Sequence, residues 1–242
     1  WQLEGMFTQD DPTEKIGART FITNQPKVVD ANGKVTYAQP NAKPGDARFK
    51  DVDGNGKIDN ADKVFLGSPL PKLTYGFSIN LQYKGFDFAA FFNGNFGNKI
   101  MNGTKQYLYN PVGAGNRGKA FANRYRDEIV KDGVVVVHEN HDTDVYRLSA
   151  DTYTRMSDFF VEDGSFFRLR NMTLGYTVPG NLSKKVGIEK LRVYAGGKNL
   201  FTLTKYTGLN PEIGGNNILN MGVDVGLYPV TKMIYFGVNL VF

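Results

Sequence analysis

The sequence predicts an all-β fold, namely the C-terminal strands of a large antiparallel transmembrane β-barrel with long extracellular loops. Three observations predict it: apolar residues that alternate along five segments, short connections that alternate with long ones, and a composition rich in aromatic residues and glycine. The 242 residues include 18 Phe, 13 Tyr and 28 Gly, which suits strands and turns. The mean hydropathy of −0.35 does not oppose a barrel, because half of each barrel strand is polar.

The last eleven residues form the strongest alternating segment. One face carries only apolar residues, and they are Ile234, Phe236, Val238, Leu240 and Phe242. The other face is smaller and more polar, since side chains alternate with a period of two along a strand. An outer-membrane barrel places such a face against lipid. The alternative interpretation is an amphipathic strand that ends a soluble β-sandwich.

Residues 73–96 predict a hairpin with Lys84-Gly85 as its tight turn. Each arm has about the 9–11 residues that a tilted strand needs to cross a bilayer. Further strands are predicted over 165–178, 190–203 and 231–242. We expect one set of residues to face lipid: Phe77, Ile79, Leu81, Phe88, Phe236, Val238 and Leu240.

The connections differ sharply in length. Those over 84–85 and 179–189 are short, whereas 8–72, 97–164 and 204–230 are long. Barrels of the outer membrane have short periplasmic turns and long extracellular loops, so the three long connections are expected outside the cell. We expect the connection over 97–164 to be irregular.

Two short segments outside the five predicted strands also have a predicted structure. Residues 119–130 could form a helix, and residues 1–7 form the tail of a strand. All of 1–242 is therefore assigned to the C-terminal portion of one barrel domain, without a plug domain.

Two arginines break the apolar pattern of the strand over 165–178. Arg168 and Arg170 have the same parity as Met172 and Leu174. Either they lie above the lipid at the outer rim, or a β-bulge changes the phase of the strand. The rim is preferred, because an arginine at the bilayer midplane costs about 2–4 kcal/mol.

Residues 51–62 match a calcium loop of the EF-hand or dockerin kind. The oxygen ligands at the expected spacing are Asp51, Asp53, Asn55, the Lys57 carbonyl, Asp59 through a water molecule, and Asp62. Gly56 permits the sharp turn. Since a hard cation of this size takes 6–8 oxygens, this spacing can surround one ion.

Three features refine the prediction for this loop. Asp62 replaces the usual glutamate and is shorter, so binding should be weaker or monodentate. Pro69 and Pro71 follow closely, so no pair of helices flanks the loop. Calcium is the expected ion and magnesium the alternative, and a metal-free turn rich in Asp, Asn and Gly is the competing interpretation.

Several classes of site are not supported. The chain has no cysteine, which excludes disulfides and thiolate metal sites. Its net charge of +5 comes from scattered residues, so nucleic acid is not an expected partner. His138 and His141 lack the i, i+4 spacing of a helical zinc protease motif. No nucleophile has a matched base, and no catalytic residue or organic cofactor is predicted; we do not expect an enzyme.

Several segments together resemble the SusC/RagA-like family of TonB-dependent outer-membrane transporters. They are residues 44–58 (PGDARFKDVDGNGKI), 73–77 (LTYGF), 157–176 (SDFFVEDGSFFRLRNMTLGY), 197–201 (GKNLF), 204–208 (TKYTG) and 236–240 (FGVNL). The resemblance implies a barrel of about 22 strands, an internal plug, and energy from TonB, which contacts the N-terminal part that this chain lacks. It also implies a surface lipoprotein lid like SusD and import of oligosaccharides or peptides.

Two functions follow from these features. The first is a part of such an importer, a multi-pass protein of the outer membrane whose partners are the remaining barrel and plug, the lid lipoprotein, TonB and membrane lipid. The second is a secreted calcium-binding adhesion or dockerin-like module. The sequence does not identify substrate-binding residues, although five loop tyrosines would suit sugars or peptides: Tyr107, Tyr109, Tyr125, Tyr146 and Tyr153.

Overall fold

A computed structural model shows the all-β fold that the sequence predicts. It describes residues 1–110, 115–183, 185, 187–213 and 220–242. Residues 111–114 and 214–219, in the predicted long connections over 97–164 and 204–230, lie outside the described residues. The chain divides into two compact units: the first contains Trp1–Leu66 and Asn102–Val161, and the second contains Gly67–Met101 and Glu162–Phe242. No helix among the described residues is long and apolar enough to cross a membrane.

Short strands and turns precede and separate five long strands. In chain order the strands are β1 (Leu3–Met6), β2 (Thr13–Ile16), β3 (Arg19–Ile22), β4 (Lys27–Val29), β5 (Val35–Tyr37), β6 (Ala47–Phe49), β7 (Leu73–Tyr83), β8 (Phe86–Phe96), β9 (Lys99–Asn102), β10 (Ile129–Lys131), β11 (Val134–Val137), β12 (Val161–Asp163), β13 (Phe166–Thr177), β14 (Lys190–Thr204), β15 (Val223–Asp224) and β16 (Met233–Val241). The α-helices are α1 (Gly103–Tyr109), α2 (Ala150–Thr154) and α3 (Gly180–Ser183). Single 3₁₀ turns cover Asn60–Asp62, Lys119–Asn123 and Asp158–Phe160.

The second unit is built on one antiparallel sheet in the order β16-β14-β13-β8-β7. Its members are the five strands that the alternation predicts, with boundaries that differ by two residues or fewer. The β7–β8 hairpin turns at Lys84 and Gly85, whose φ angles are 45° and 89°. Two consecutive positive φ angles are typical of the tight turns that match the twist of paired strands.

Cross-strand pairing gathers the predicted lipid-facing residues on one face, which we call the apolar face. Directly opposed residues share a face of an antiparallel sheet. The pairs that define it include Phe77 with Phe92, Ile79 with Ala90, Leu81 with Phe88, Phe88 with Leu174, Leu174 with Ala195, Ala195 with Phe236, Val193 with Val238 and Leu191 with Leu240. Thr74, Ser78 and Asn80 lie on the opposite, polar face. The predicted division of the strands into two faces is therefore confirmed.

The preferred explanation for Arg168 and Arg170 is wrong. The register of β13 against β8 shifts between Leu169 and Asn171, so Arg170 is the extra residue of a β-bulge. The bulge changes the phase of the strand: Leu169 lies opposite Phe92 on the apolar face, and Arg168 lies opposite Asn93 on the polar face. Arg168 therefore has the same odd or even spacing as Met172 and Leu174 in the sequence, but it lies on the polar face because the bulge intervenes.

Tyrosines on the polar face lie over glycines of the neighbouring strand. Tyr194 is opposite Gly237, and Tyr235 is opposite Gly196. A Cβ atom at either glycine would collide with the partner ring. The rings can therefore lie flat against the sheet, and Tyr235 also hydrogen-bonds Thr173 through their hydroxyls at 3.0 Å.

The first unit is more regular than the sequence predicts. The connections over 8–72 and 97–164 contain the hairpins β2–β3, β4–β5 and β10–β11, and β1 pairs with β6. The strand predicted over 1–7 is thus present, as β1. The helix predicted over 119–130 is wrong, since a single 3₁₀ turn is followed by β10.

A small aromatic core explains why these loops fold. Tyr109, Phe121, Tyr153 and Phe160 form a buried cluster, with ring centroids 5.7–5.8 Å apart for the pairs among the first three. Three of the five tyrosines proposed to meet substrate are buried, because Tyr125 is 3% exposed as well. Those three therefore stabilise the unit from within, and of the five only Tyr107 is largely exposed.

Candidate metal centre and the polar face

The acidic loop over 51–62 winds round its own carboxylates. Gly54 and Gly56 have φ angles of 74° and 75°, which glycine adopts without a steric cost. Their backbone N–H groups donate to the two oxygens of Asp51 at 2.8 and 2.7 Å. The Asp51 carboxylate therefore organises the first half of the loop from inside.

Gly56 has a second reason to be glycine. A Cβ atom there would lie 2.9 Å from the backbone of Lys27 and closer still to the side chain of Val28. The loop consequently packs directly on β4. The sequence explains this glycine by the sharp turn alone, and the packing on β4 requires it equally.

Asp62 closes the loop from a fully buried position. Its two oxygens accept the backbone N–H groups of Val52 at 2.8 Å and Asp59 at 2.7 Å. Burial opposes ionisation of this carboxyl, but these hydrogen bonds outweigh burial and lower its pKa below the ordinary value. Asp62 is therefore held as a carboxylate that joins both ends of the loop.

Three of the predicted ligands converge. Asp51, Asp53 and Asp62 each offer a carboxylate oxygen, and these oxygens lie within 4.8 Å of one another. Such a set of hard anionic donors fits calcium or magnesium and does not suit a soft metal. The arrangement can neutralise a divalent cation, which would also relieve the repulsion among three carboxylates.

The side chains of Asn55 and Asp59, two of the other predicted ligands, make hydrogen bonds within the loop. Asn55 donates its side-chain amide to Asp53 at 2.9 Å and accepts the Lys57 backbone N–H at 2.8 Å. Asp59 lies outside the converging carboxylates and caps the 3₁₀ turn by accepting the N–H of Ala61 at 2.8 Å. Three of the six predicted ligands, the carboxylates of Asp51, Asp53 and Asp62, therefore converge. Asn55 and Asp59 make hydrogen bonds within the loop, and the Lys57 carbonyl stays a predicted ligand.

Two contacts that the sequence does not reveal hold the loop in the first unit. The indole N–H of Trp1 donates to the Asp59 carbonyl at 2.9 Å. Arg155 donates to the Ile58 carbonyl at 3.3 Å, and its guanidinium lies over the Trp1 ring. Both partners are distant in sequence, so spacing alone could not identify them.

A charged cluster on the polar face fixes the connection after β14 to the sheet. Arg168 is 1% exposed and bonds Thr202 at 2.8 Å, Glu212 at 2.6 Å and Asn210 at 2.7 Å. Arg170 also donates to Glu212, at 2.8 Å. One carboxylate therefore serves two guanidinium groups, and the β-bulge is what turns both toward it.

The substitution Glu212→Gln should destabilise the full receptor that carries this segment. The neutral amide would leave Arg168 buried without a counter-charge, and we expect a loss of about 2–4 kcal/mol on unfolding in urea. The larger losses of stability that follow from breaking a fully buried ion pair are not expected here, since the Glu212 side chain is 35% exposed. Glu189→Gln, at an exposed position, is the control; equal shifts for both variants would contradict the role of the cluster.

A second ion pair crosses the sheet near the β7–β8 turn. Arg192 of β14 donates to Asp87 of β8 at 2.8 Å, although β13 lies between those strands. Gly175 of β13 makes this possible, because a Cβ atom there would meet the atoms of both side chains. The glycine is therefore part of the polar face, and its role follows from pairing that the sequence does not show.

Comparisons with known proteins identify the family. No protein-family model matches the chain. The chain is 35% identical over 205 residues to TonB-dependent receptor P3 of Formosa agariphila, covering 82% of this chain and 19% of that protein. It is 30% identical over 217 residues to TonB-dependent receptor SusC of Bacteroides thetaiotaomicron, covering 88% of this chain and 19% of that protein. The chain spans about a fifth of the length of these relatives.

Solved structures show the same relationship. The RagAB peptide transporter matches with a TM-score of 0.58 and 28% identity, over 91% of this chain and 20% of that chain. The RagAB peptide importer in its open-open state matches with a TM-score of 0.57 and 25% identity, over 98% of this chain and 24% of that one. The segments that resemble this family are spread along the whole sequence, and the curated relatives and the solved structures agree with them. The chain therefore belongs to the SusC-like family of TonB-dependent receptors.

Proposed function

We propose that this chain forms part of the wall of a TonB-dependent importer in the outer membrane. The observation that carries the proposal is the five-stranded sheet with one continuous apolar face and one polar face. In an outer-membrane barrel the apolar face meets lipid and the polar face meets the lumen. The sheet edges at β7 and β16 would pair with the remaining strands of the receptor, since an open edge inside a membrane leaves backbone groups unsatisfied.

The proposed cargo is an oligosaccharide or a peptide, taken up together with a SusD-like surface lipoprotein. Two observations support this assignment: the family itself, and the likeness to RagAB structures described as a peptide importer. The first unit contains most of the connections over 8–72 and 97–164, and we assign it to the extracellular side. Its aromatic core allows these connections to present a defined surface.

The proposed role of the acidic loop is structural. A calcium ion, or magnesium in its place, held by Asp51, Asp53 and Asp62 would fix the fold of residues 51–62 in the first unit. Support comes from the convergence of these three carboxylates and from the packing of the loop on β4. A secreted calcium-binding module would share this loop, but it would not need the exposed apolar face of the five-stranded sheet.

Fractionation and uptake test the proposed function. We expect the full-length receptor in the outer membrane, co-purification of a SusD-like lipoprotein with it, and uptake that stops when TonB is deleted. Recovery of the native protein from the medium would support the secreted module instead. The role in import would be contradicted if the receptor is in the outer membrane but its deletion leaves the uptake of glycans and peptides unchanged.

A further inference from the structure

A polar cavity and an apolar groove meet at the end of the sheet that carries the β7–β8 turn. The cavity has a volume of about 430 Å³ and is lined by residues that include Tyr83, Lys84, Phe86, Asp87, Thr177 and Lys190. It takes side chains from both faces, because Tyr83 and Phe86 belong to the apolar face and Asp87 to the polar face. The cavity therefore lies across the end of the sheet.

The groove continues from this cavity along the apolar face. It has a volume of about 310 Å³ and is lined chiefly by Phe86, Leu174, Tyr176, Val193, Ala195 and Phe236. Ala195 forms its floor, since this small residue is paired with the larger Leu174 on one side and Phe236 on the other. Phe86 lines both the cavity and the groove, so the two adjoin at this ring.

The charge of the cavity is positive. Asp87 is already paired with Arg192, and no described carboxylate forms an ion pair with Lys84 or Lys190. The Lys84 ammonium lies 5.3 Å from the centroid of the Tyr83 ring, which places it on the side of the apolar face. Lys190 has the parity of Arg192 and therefore belongs to the polar face, but it lines the same cavity as Lys84. Two cationic side chains, one from each face, thus line the cavity that adjoins the apolar groove.

We propose that this combined site binds one anionic phospholipid, with its phosphate at Lys84 and Lys190 and an acyl chain in the groove. The groove is lined by apolar side chains and is open on one side, so an acyl chain can lie along it. Lysines at a membrane surface attract anionic headgroups, and basic pockets beside membrane-spanning elements hold them. The site rests on the proposed location of the sheet in the outer membrane.

Native mass spectrometry of the full-length receptor in mild detergent tests the site. Dioleoyl-phosphatidylglycerol and dioleoyl-phosphatidylcholine are added separately as probes. We expect phosphatidylglycerol to bind at least tenfold more tightly. The double variant Lys84→Gln/Lys190→Gln should weaken phosphatidylglycerol binding about 30-fold, with little change for phosphatidylcholine. The control is Lys72→Gln/Lys232→Gln, at the opposite ends of β7 and β16, which should bind as the wild type does.

Two further arms separate the possible outcomes. Ala195→Phe, which fills the groove, should remove the tightly bound lipid from a receptor that still folds, and inorganic phosphate should not displace it. Equal binding of the two lipids, unchanged binding by the double lysine variant, or displacement by inorganic phosphate would each overturn the proposal. Absence of the receptor from the outer membrane is the separate result that would overturn the proposed function.

Discussion

Replacing Asp53 by Asn in the full-length receptor should lower calcium affinity at least tenfold and leave the metal-free loop almost unchanged. Asp53 is exposed, and its carboxylate accepts hydrogen bonds from the backbone N–H and the side-chain amide of Asn55. Losing one anionic ligand weakens a calcium site, because ligand charge is a main determinant of its affinity. Asp62→Asn should weaken binding as well, but it should also destabilise the loop without metal.

The two variants differ because Asp62 is buried and accepts two backbone N–H groups. Asparagine can accept only one of them with its single oxygen, and its amide would face the other donor. The expected cost is about 1–3 kcal/mol, even in a chelator. Limited proteolysis within 51–62 in the presence of a chelator should therefore be faster for Asp62→Asn and close to wild type for Asp53→Asn.

Terbium luminescence gives a direct readout of the bound ion. The Trp1 indole is hydrogen-bonded to the Asp59 carbonyl at 2.9 Å, so excitation of this ring should sensitise Tb³⁺ in the loop. Calcium should displace the signal, and Trp1→Phe should remove the sensitised part while calcium binding persists. A calcium-independent loop, equally resistant to protease with and without a chelator, would rule out the structural role of the ion.

The five long strands could be predicted from sequence because their physical cause is local. A strand with one apolar face and one polar face must alternate, and Leu73–Tyr83 and Met233–Val241 do so along their length. The turn at Lys84-Gly85 is equally local. The bulge at Arg170 is not, because a change of phase appears only when β13 is aligned with both neighbours.

The sequence predicts the three converging carboxylates of the acidic loop better than it predicts the roles of the residues around them. The spacing of Asp51, Asp53 and Asp62 identifies the three carboxylates that converge. It does not show that Asp59 caps a 3₁₀ turn. The first unit was underestimated for a similar reason: its core joins Tyr109 and Phe121 to Tyr153 and Phe160, and no periodicity marks residues that meet only after folding.

A pair of adjacent arginine substitutions in β7 should separate the two faces of the sheet most clearly. Ile79 lies on the apolar face opposite Ala90, and Ser78 lies on the polar face opposite Phe91. Both are near the middle of an 11-residue strand. If the sheet lies in the membrane as proposed, Ile79→Arg places a charge against the middle of the bilayer. We therefore expect Ile79→Arg to cost about 2–4 kcal/mol and Ser78→Arg to cost about 1 kcal/mol or less.

Folding of the full-length receptor into phospholipid vesicles measures this difference, with urea titration and the gel shift of heated and unheated samples as readouts. The two variants add the same side chain one residue apart in β7, so the added charge is matched. Outer-membrane levels in cells should follow the same order, with Ile79→Arg strongly reduced. If the two variants are equally stable, or if Ser78→Arg is the more damaging, β7 does not face lipid through Phe77, Ile79 and Leu81. Both side chains are exposed in the isolated segment, so burial within this sheet alone does not account for a large difference between the two variants.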